Sequence, residues 1–201
     1  MAHILHFSTI PAGNGSLSEP PVQFIVVNCH LFWDPNFPDV KLEQAWELMG
    51  QVQRVVRPMY LPVIICGDFN SEPSSAVWEK RCRVMCRYEF MSTGRVSMDH
   101  PDLRNDPEHI IQNIGVANIR HDFALRSSYA VVMRKEPEFT NYTDHYSGCL
   151  DYIWVSRSVI PVGVSVLPTE NEILSSGNLK LPNPKYPSAH LALDCSLILT
   201  S

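Results

Sequence analysis

A handful of side chains in this sequence could together handle a phosphate ester. Asp68 and Asn70 stand two apart in V-I-I-C-G-D-F-N-S, His30 closes N-C-H, Asp151 lies in C-L-D-Y-I-W and His190 ends P-S-A-H. A carboxylate and an amide oxygen suit Mg²⁺ and a phosphate beside it. A metal held by that carboxylate would polarise the phosphoryl oxygen and steady the leaving group. A histidine can move the proton of a water or meet phosphate charge, and an aspartate fixed behind a histidine sets its tautomer. Each residue also has a plainer reading. Gly-Asp-x-Asn caps ordinary turns, Asp151 can be an outward residue on an exposed strand position, and His190 can open a strand with its ring satisfied. Polar groups beside buried strands are costly unless paired. Convergence of His30, Asp68 with Asn70, Asp151 and His190 at one end of a sandwich would satisfy them mutually.

The elements that must position these groups are read from periodicity. Ala2–Ser8 reads as a strand, followed by a Gly-, Ser- and Pro-rich loop over Pro11–Pro21. Val22–Asn28 is a second strand that delivers Cys29 and His30 to its carboxyl end, and His30–Pro35 is a turn. Pro38 and Asp39 open a helix, with Leu42, Ala45, Trp46, Met49, Val52, Val55 and Val56 at helical spacing. Val63–Cys66 is a short buried strand broken by Gly67. If the chain stays extended there, Asp68 and Asn70 face one spot, because residues two apart on a strand share a face. Ser74 or Ser75 caps a second helix, Ala76 to about Arg87. Residues 91–122 read as a long irregular loop. A short helix is expected within Asp122–Val132 and a loop over Phe139–Ser147. Strands are expected at Cys149–Val155, Val162–Leu167 and His190–Leu199. Two helix-length segments among many strands do not give a regular βαβ rhythm, so mixed sheets with helices outside fit better.

Composition bounds the answer. The 201 residues suffice for one domain with a real core. Net charge is −5, so no global basic footprint for nucleic acid exists. That leaves a nuclease open, because a metal site reaches phosphate through its ion. No apolar run is long enough to span a membrane, and residues 1–10 lack the basic start of a signal peptide. Six scattered cysteines read as reduced thiols of an intracellular protein. Cys82-x3-Cys86 reads as two residues on one helix face rather than as half of a zinc site. The Asn14 and Asn141 sequons are accidents in such a chain.

Six motifs stand in a telling order: N-C-H-L-F-W-D-P (Asn28–Pro35), D-V-K-L-E-Q (Asp39–Gln44), C-G-D-F-N-S (Cys66–Ser71), T-N-Y-T (Thr140–Thr143), C-L-D-Y-I-W (Cys149–Trp154) and P-S-A-H (Pro187–His190). Together they resemble the endonuclease/exonuclease/phosphatase superfamily. Within it they resemble the deadenylase-like branch of carbon-catabolite-repressor deadenylases, nocturnin, angel and 2′-phosphodiesterase, which W-D-P and T-N-Y-T select. The resemblance implies an α/β fold, a two-sheet αββα sandwich of the deoxyribonuclease I-like type. It implies that residues 1–201 form a single incomplete domain, with the amino-terminal part missing. It also implies a Mg²⁺-dependent phosphodiesterase, with Mn²⁺ as the other cofactor. The implied substrate is single-stranded RNA cut from its 3′ end, often poly(A), in the cytoplasm first among compartments.

The site roles carried over by the resemblance are specific. Asp68 is the base or orienting carboxylate for the attacking water and a metal ligand. Asn70 holds the phosphate, Asp151 orients His190, His190 contacts the scissile phosphate, and His30 is the other phosphate-side histidine. The chain departs from the family pattern in three places. Ala189 stands where the family has a metal-binding Asp, no Glu before Glu19 replaces the family's metal-binding Glu, and Phe32 stands where the branch often has a second His. These departures keep a second reading beside the enzyme, a catalytically inactive fragment that binds RNA or a partner. A phosphoinositide or small-nucleotide substrate is a third reading, which the branch-selecting motifs oppose. Missing strands would leave unpaired edges and poor solubility.

Overall fold

The computed structural model describes residues 1–9, 21–57, 59–73, 86–97, 99–103, 119–175 and 177–200. Its strands are β1 (Ala2–Ser8), β2 (Gln23–His30), β3 (Val63–Asp68), β4 (Arg95–Val96), β5 (Ile119–Arg120), β6 (Arg126–Ser127), β7 (Asn141–Tyr142), β8 (Ser147–Gly148), β9 (Asp151–Val155), β10 (Val159–Val164) and β11 (Cys195–Leu199). Its helices are α1 (Pro38–Val56), α2 (Cys86–Thr93), α3 (Ser128–Met133) and α4 (Glu170–Leu174), with a 3₁₀ turn at Pro101–Leu103. A mixed sheet runs in the order β1-β2-β3-β9-β6, and β10-β11, β4-β5 and β7-β8 pair as separate two-stranded sheets. β2 and β3 are parallel, which requires a long crossover. The helix α1 supplies it.

The crossover helix is held by its apolar stripe. Leu42, Ala45, Leu48, Met49, Val52 and Val56 are buried with Ile25, Val27, Val63 and Ile65 of the sheet. Each such fully buried aliphatic side chain contributes roughly 1.5–3 kcal/mol. The stripe is rotated slightly from the expectation: Leu48 lies inside, Trp46 is half-buried, and Val55 is 41% exposed. The helix starts without a side-chain cap, and Pro38 sits in its first turn, where a missing N–H costs nothing. A smaller core gathers Phe139, Tyr142, Ile173, Leu181 and Leu191. Its short helix α4 is closed by a full capping box between Thr169 and Glu172. At one edge, β1 pairs among the described residues only with β2, and Leu5 and Phe7 are 49% and 42% exposed.

Several sequence expectations need correction. Residues 91–122 are not one irregular loop: α2 runs on to Thr93, and β4 pairs with β5. The proposed cap at Ser74 or Ser75, most of the helix Ala76–Arg87 and Cys82 lie outside the described residues. Phe139–Ser147 is a loop carrying a hairpin, β7 on β8. The fourth strand begins at Val159 rather than Val162, and the last begins at Cys195 rather than His190. Apolar runs mark both strands, but hydrogen-bond partners set their ends, and those partners are far away in sequence. The described cysteines, Cys29, Cys66, Cys86, Cys149 and Cys195, are free thiols.

One buried histidine gives the fold an acid limit. His121 is 7% exposed and packs edge-on against Phe90. Its Nε2 donates to the Phe90 carbonyl at 2.9 Å, and its Nδ1 accepts from the Phe123 amide at 3.2 Å. The neutral ring is therefore fully satisfied, and a second proton would face a donor. Burial lowers its pKa from 6.5 to about 4. The unfolded chain then binds more protons between these values, so stability is full above pH 6.5 and is lost as pH falls toward 4. The loss is expected to reach about 3 kcal/mol. Urea unfolding at pH 7 and pH 4.5 checks it: His121→Gln should flatten that difference, and an equal acid loss in the variant would refute the assignment.

Candidate functional site

Three neighbouring strands end together and set the site. In the parallel β2/β3 ladder His30 is opposite Asp68, and in the antiparallel β3/β9 ladder Asp68 is opposite Asp151. The ladder continues past the strand ends through Leu31 N–H to the Asp68 carbonyl and Phe69 N–H to the Leu150 carbonyl, both 2.9 Å. Gly67 does not break β3. It lies inside the strand at φ +136°, where a Cβ would stand 1.8 Å from the Cys29 carbonyl oxygen. Only glycine allows the two backbones to approach so closely one residue before the site.

His190 arrives from outside the five-stranded sheet. It forms a single antiparallel bridge with Asn141, and the Leu191 N–H donates to the Thr140 carbonyl at 2.7 Å. Its Nδ1 lies 2.8 Å from Asp151 Oδ2, and its Nε2 lies 3.9 Å from Asp68 Oδ2. His30 Nε2 lies 3.4 Å from the same Asp68 oxygen. Thr140 locks Asp151 from behind. Its hydroxyl donates to Asp151 Oδ2 at 2.6 Å and accepts the Leu150 and Asp151 amides at 2.9 and 3.1 Å. Asp68 and Asp151 side chains are 14% and 18% exposed, against 35% for His190 and 69% for His30. The structure thus brings Asp68, Asp151, His190 and His30 into one cluster open to solvent.

Asn70 reaches this cluster differently from the sequence expectation. The chain is not extended there: Asn70 has φ +46°, and its N–H donates to Asp68 Oδ1 at 2.8 Å. Its Nδ2 donates to the Leu31 carbonyl at 3.0 Å. The turn-capping property of Gly-Asp-x-Asn therefore operates beside the polar cluster, and it fixes the Asp68 carboxylate. Asn141 is the neighbour that residue types alone did not single out. It is 9% exposed, and its Nδ2 lies 2.8 Å from His190 Nε2. Asn141 Oδ1 is buried without a hydrogen-bond partner among the described residues. The amide can thus turn over, donating to a neutral His190 or accepting from a protonated one. The only sequence signal for it is its place in T-N-Y-T.

The electrostatics are those of a strained acidic cluster. Burial, with Asp151 adding to it, raises the Asp68 carboxyl above its ordinary pKa against the pull of the Asn70 N–H. The hydrogen bond to Asp151 raises the His190 imidazole against its own burial. Asp68, Asp151 and His190 each place one ligand atom within 4.8 Å of the others. Asp151 Oδ2 is already occupied by Thr140 and His190, whereas Asp68 Oδ1 alone carries the Asn70 bond. Mg²⁺ needs only one or two carboxylates when water and phosphate oxygens complete its shell. The donor set fits such a shared ion, held through Asp68 Oδ2, and Ala189 adds no ligand. A second group, Cys86, His100 and Asp102, is also compact. Its atoms have protein partners: His100 Nε2 lies 3.6 Å from Glu89 Oε2, and Cys86 Sγ accepts from Arg87 Nη1 at 3.8 Å. Asp102 Oδ2 accepts the Cys86 N–H at the start of α2, and His100 Nδ1 accepts the Asp102 N–H at 3.1 Å. Burial pushes the Cys86 thiol up to about 12.

The architecture and the order of these groups agree with known proteins. The family model described as Endonuclease/Exonuclease/phosphatase family matches residues 6–190. The chain belongs to this family. The CCR4-Not complex 3′-5′-exoribonuclease subunit Ccr4 of Schizosaccharomyces pombe is 32% identical over 194 residues, covering 85% of this chain and 26% of Ccr4. The human 2′,5′-phosphodiesterase 12 is 32% identical over 185 residues, covering 90% of this chain and 27% of that protein. The chain therefore spans about a quarter of these curated relatives. Among solved structures, ANGEL2, a 2′,3′-cyclic phosphatase in complex with adenosine-2′,3′-vanadate, superposes with a TM-score of 0.71 at 24% identity. That match covers 90% of this chain and 59% of the ANGEL2 chain. The human Nocturnin catalytic domain with bound sulfate superposes at 0.57 with 22% identity, over 89% of this chain and 48% of that one. The α/β fold of the deoxyribonuclease I-like type and the deadenylase-like branch are thereby shown. No helix among the described residues is long and apolar enough to cross a membrane.

Proposed function

We propose that the chain carries the phosphodiesterase site of an RNA-cleaving enzyme, working with Mg²⁺ from the 3′ end of single-stranded RNA, poly(A) among its substrates. The observation that carries the reading is the Asp151–His190 pair directed at Asp68, with His190 Nε2 3.9 Å from Asp68 Oδ2. Asp68, with its raised pKa, holds the attacking water and takes its proton. His190, kept in one orientation by Asp151, meets the charge that builds on the phosphate. His30, exposed on the other side of Asp68, and Asn70 bind the phosphate oxygens. A Mg²⁺ ion at Asp68 would add charge that polarises the phosphoryl oxygen. Trp33, three residues after His30 and 68% exposed, offers a face on which a base can stack. The similarity to Ccr4, a 3′-5′-exoribonuclease subunit, supports the substrate class. Residues 1–201 are read as part of one such domain, consistent with their coverage of the relatives.

A specific residue favours a second reading. Ala189, the residue before His190, offers no carboxylate to a metal, so a protein that binds RNA without cutting it is the alternative. A 5′-labelled RNA with an adenosine tail, incubated with Mg²⁺ or with EDTA, separates the two. A ladder that needs Mg²⁺ and vanishes in His190→Ala is the expected result. Intact RNA, retained by folded protein in a filter-binding assay, would overturn catalysis in favour of binding.

A further inference from the structure

Beneath the cluster lies a cation that the proposed mechanism does not use. Lys41, in the first turns of α1, is 1% exposed. Its ammonium donates to the Trp33 carbonyl at 3.3 Å and to the Asn70 carbonyl at 3.2 Å. No carboxylate lies within ion-pair distance of it among the described residues. Trp33 belongs to the segment that follows His30 and β2, and Asn70 to the segment that follows Asp68 and β3. One buried charge thus ties together the two loops that leave the site. A buried ammonium is expensive to keep. Burial lowers its pKa to about 8, with Arg87 adding to the fall and Asp34 and Asp68 opposing it. An uncharged side chain of the same length would fill the space at less cost, so packing alone does not account for a lysine here.

The geometry points to Lys41 as a positioning residue: by gripping the Trp33 and Asn70 carbonyls, it holds the His30 loop and the Asp68–Asn70 turn at the spacing that a phosphate needs. The inference rests on the proposed phosphate site. Asn70 sits at φ +46°, a backbone region that an L residue enters at a cost, so something must hold it there. The Asn70 N–H and side chain grip Asp68 and Leu31 from one side. Lys41 grips the Asn70 carbonyl from the other. Its positive charge also acts on Asp68, which offsets part of the repulsion between that carboxylate and an incoming phosphate. Arginine cannot substitute freely, because its planar fork does not concentrate charge between two carbonyls as an ammonium does.

The test compares Lys41→Met and Lys41→Arg with the natural protein. Three quantities are read: the dissociation constant for inorganic phosphate, the backbone amide resonances of Asn70 and Leu31, and the melting temperature. Loss of two charge-assisted contacts is expected to weaken phosphate binding about 10- to 100-fold in Lys41→Met. The Asn70 and Leu31 resonances should shift, and the melting temperature should hold or rise. Lys41→Arg should fall between the two in phosphate affinity. A melting temperature that drops while phosphate affinity and the Asn70 resonance stay unchanged would make Lys41 merely structural and overturn the inference. If Lys41→Met does not fold, the same readings on Lys41→Arg decide. If the natural protein binds no phosphate at all, the proposed site fails, and the Asn70 resonance still reports whether Lys41 holds the turn.

Discussion

Asp151→Asn is expected to slow RNA cleavage about 10³- to 10⁴-fold while leaving the fold intact. The substitution is nearly isosteric, but Thr140 and His190 share the one oxygen Asp151 Oδ2, so an amide nitrogen placed there also removes the acceptor of the Thr140 hydroxyl. What changes is the proton on His190. In the natural chain Asp151 Oδ2 accepts from His190 Nδ1 at 2.8 Å, which leaves Nε2 free to face Asn141 and Asp68. An amide presenting its N–H to Nδ1 would force the proton onto Nε2. The imidazole would then show its wrong face to the phosphate side, and the protonated ring would lose the carboxylate that stabilises it. The His190 pKa should accordingly fall, because the hydrogen bond to Asp151 is the chief cause of its rise. Single-turnover rates on an adenosine-tailed RNA measure the first effect. Nitrogen-15 chemical shifts of His190 measure the second, and they do so whether or not the protein turns over. A variant with unchanged rate and unchanged His190 tautomer would remove Asp151 from the site.

Gly67→Ala is expected to cost about 3 kcal/mol or more, from the sum of backbone strain at positive φ and overpacking. The new methyl would stand 1.8 Å from the Cys29 carbonyl oxygen and 2.9 Å from its carbonyl carbon. Those atoms belong to the paired strand, so no side-chain rotation relieves the clash. For a chain of this size the melting temperature should drop by roughly 6–12 °C. Gly50→Ala is the matched control. Gly50 lies in α1 with nothing within 4 Å of its would-be Cβ, and alanine there should stabilise by about 0.5–1 kcal/mol. Thermal melts of both variants test the contrast. Because Cys29 is opposite Gly67 and His30 opposite Asp68, any relaxation of the clash also displaces two site residues. Equal melting temperatures for the two variants would mean that the β2/β3 approach is looser than the backbone shows.

The polar cluster was legible because its members terminate apolar runs. Val63–Cys66, Cys149–Val155 and the run before His30 announce buried strands, and a polar residue at the end of such a run has few reasons to be there. The helix Pro38–Val56 was equally legible, since its apolar spacing and its opening proline are local signals. The Asp68–Asn70 pair was legible as a motif but not as geometry. Extended-chain reasoning placed both side chains on one face. The Asx bond from Asn70 N–H instead takes the chain into the left-handed region and makes the asparagine a brace for the carboxylate. That choice between two local conformations is settled by the Leu31 carbonyl and the Lys41 ammonium, which come from segments 39 and 29 residues away.

The sequence by itself determined the family, the α/β class, the crossover helix and the residue types of the site. These follow from local periodicity and from ordered motifs. Only the tertiary structure decided which groups touch. It set His190 on Asp151, put Asn141 on the far nitrogen of that histidine, started the last strand at Cys195 and buried Lys41 under the two loops. Each depends on pairing between segments distant along the chain, where the partner, not the neighbouring residue, supplies the hydrogen bond that fixes the conformation.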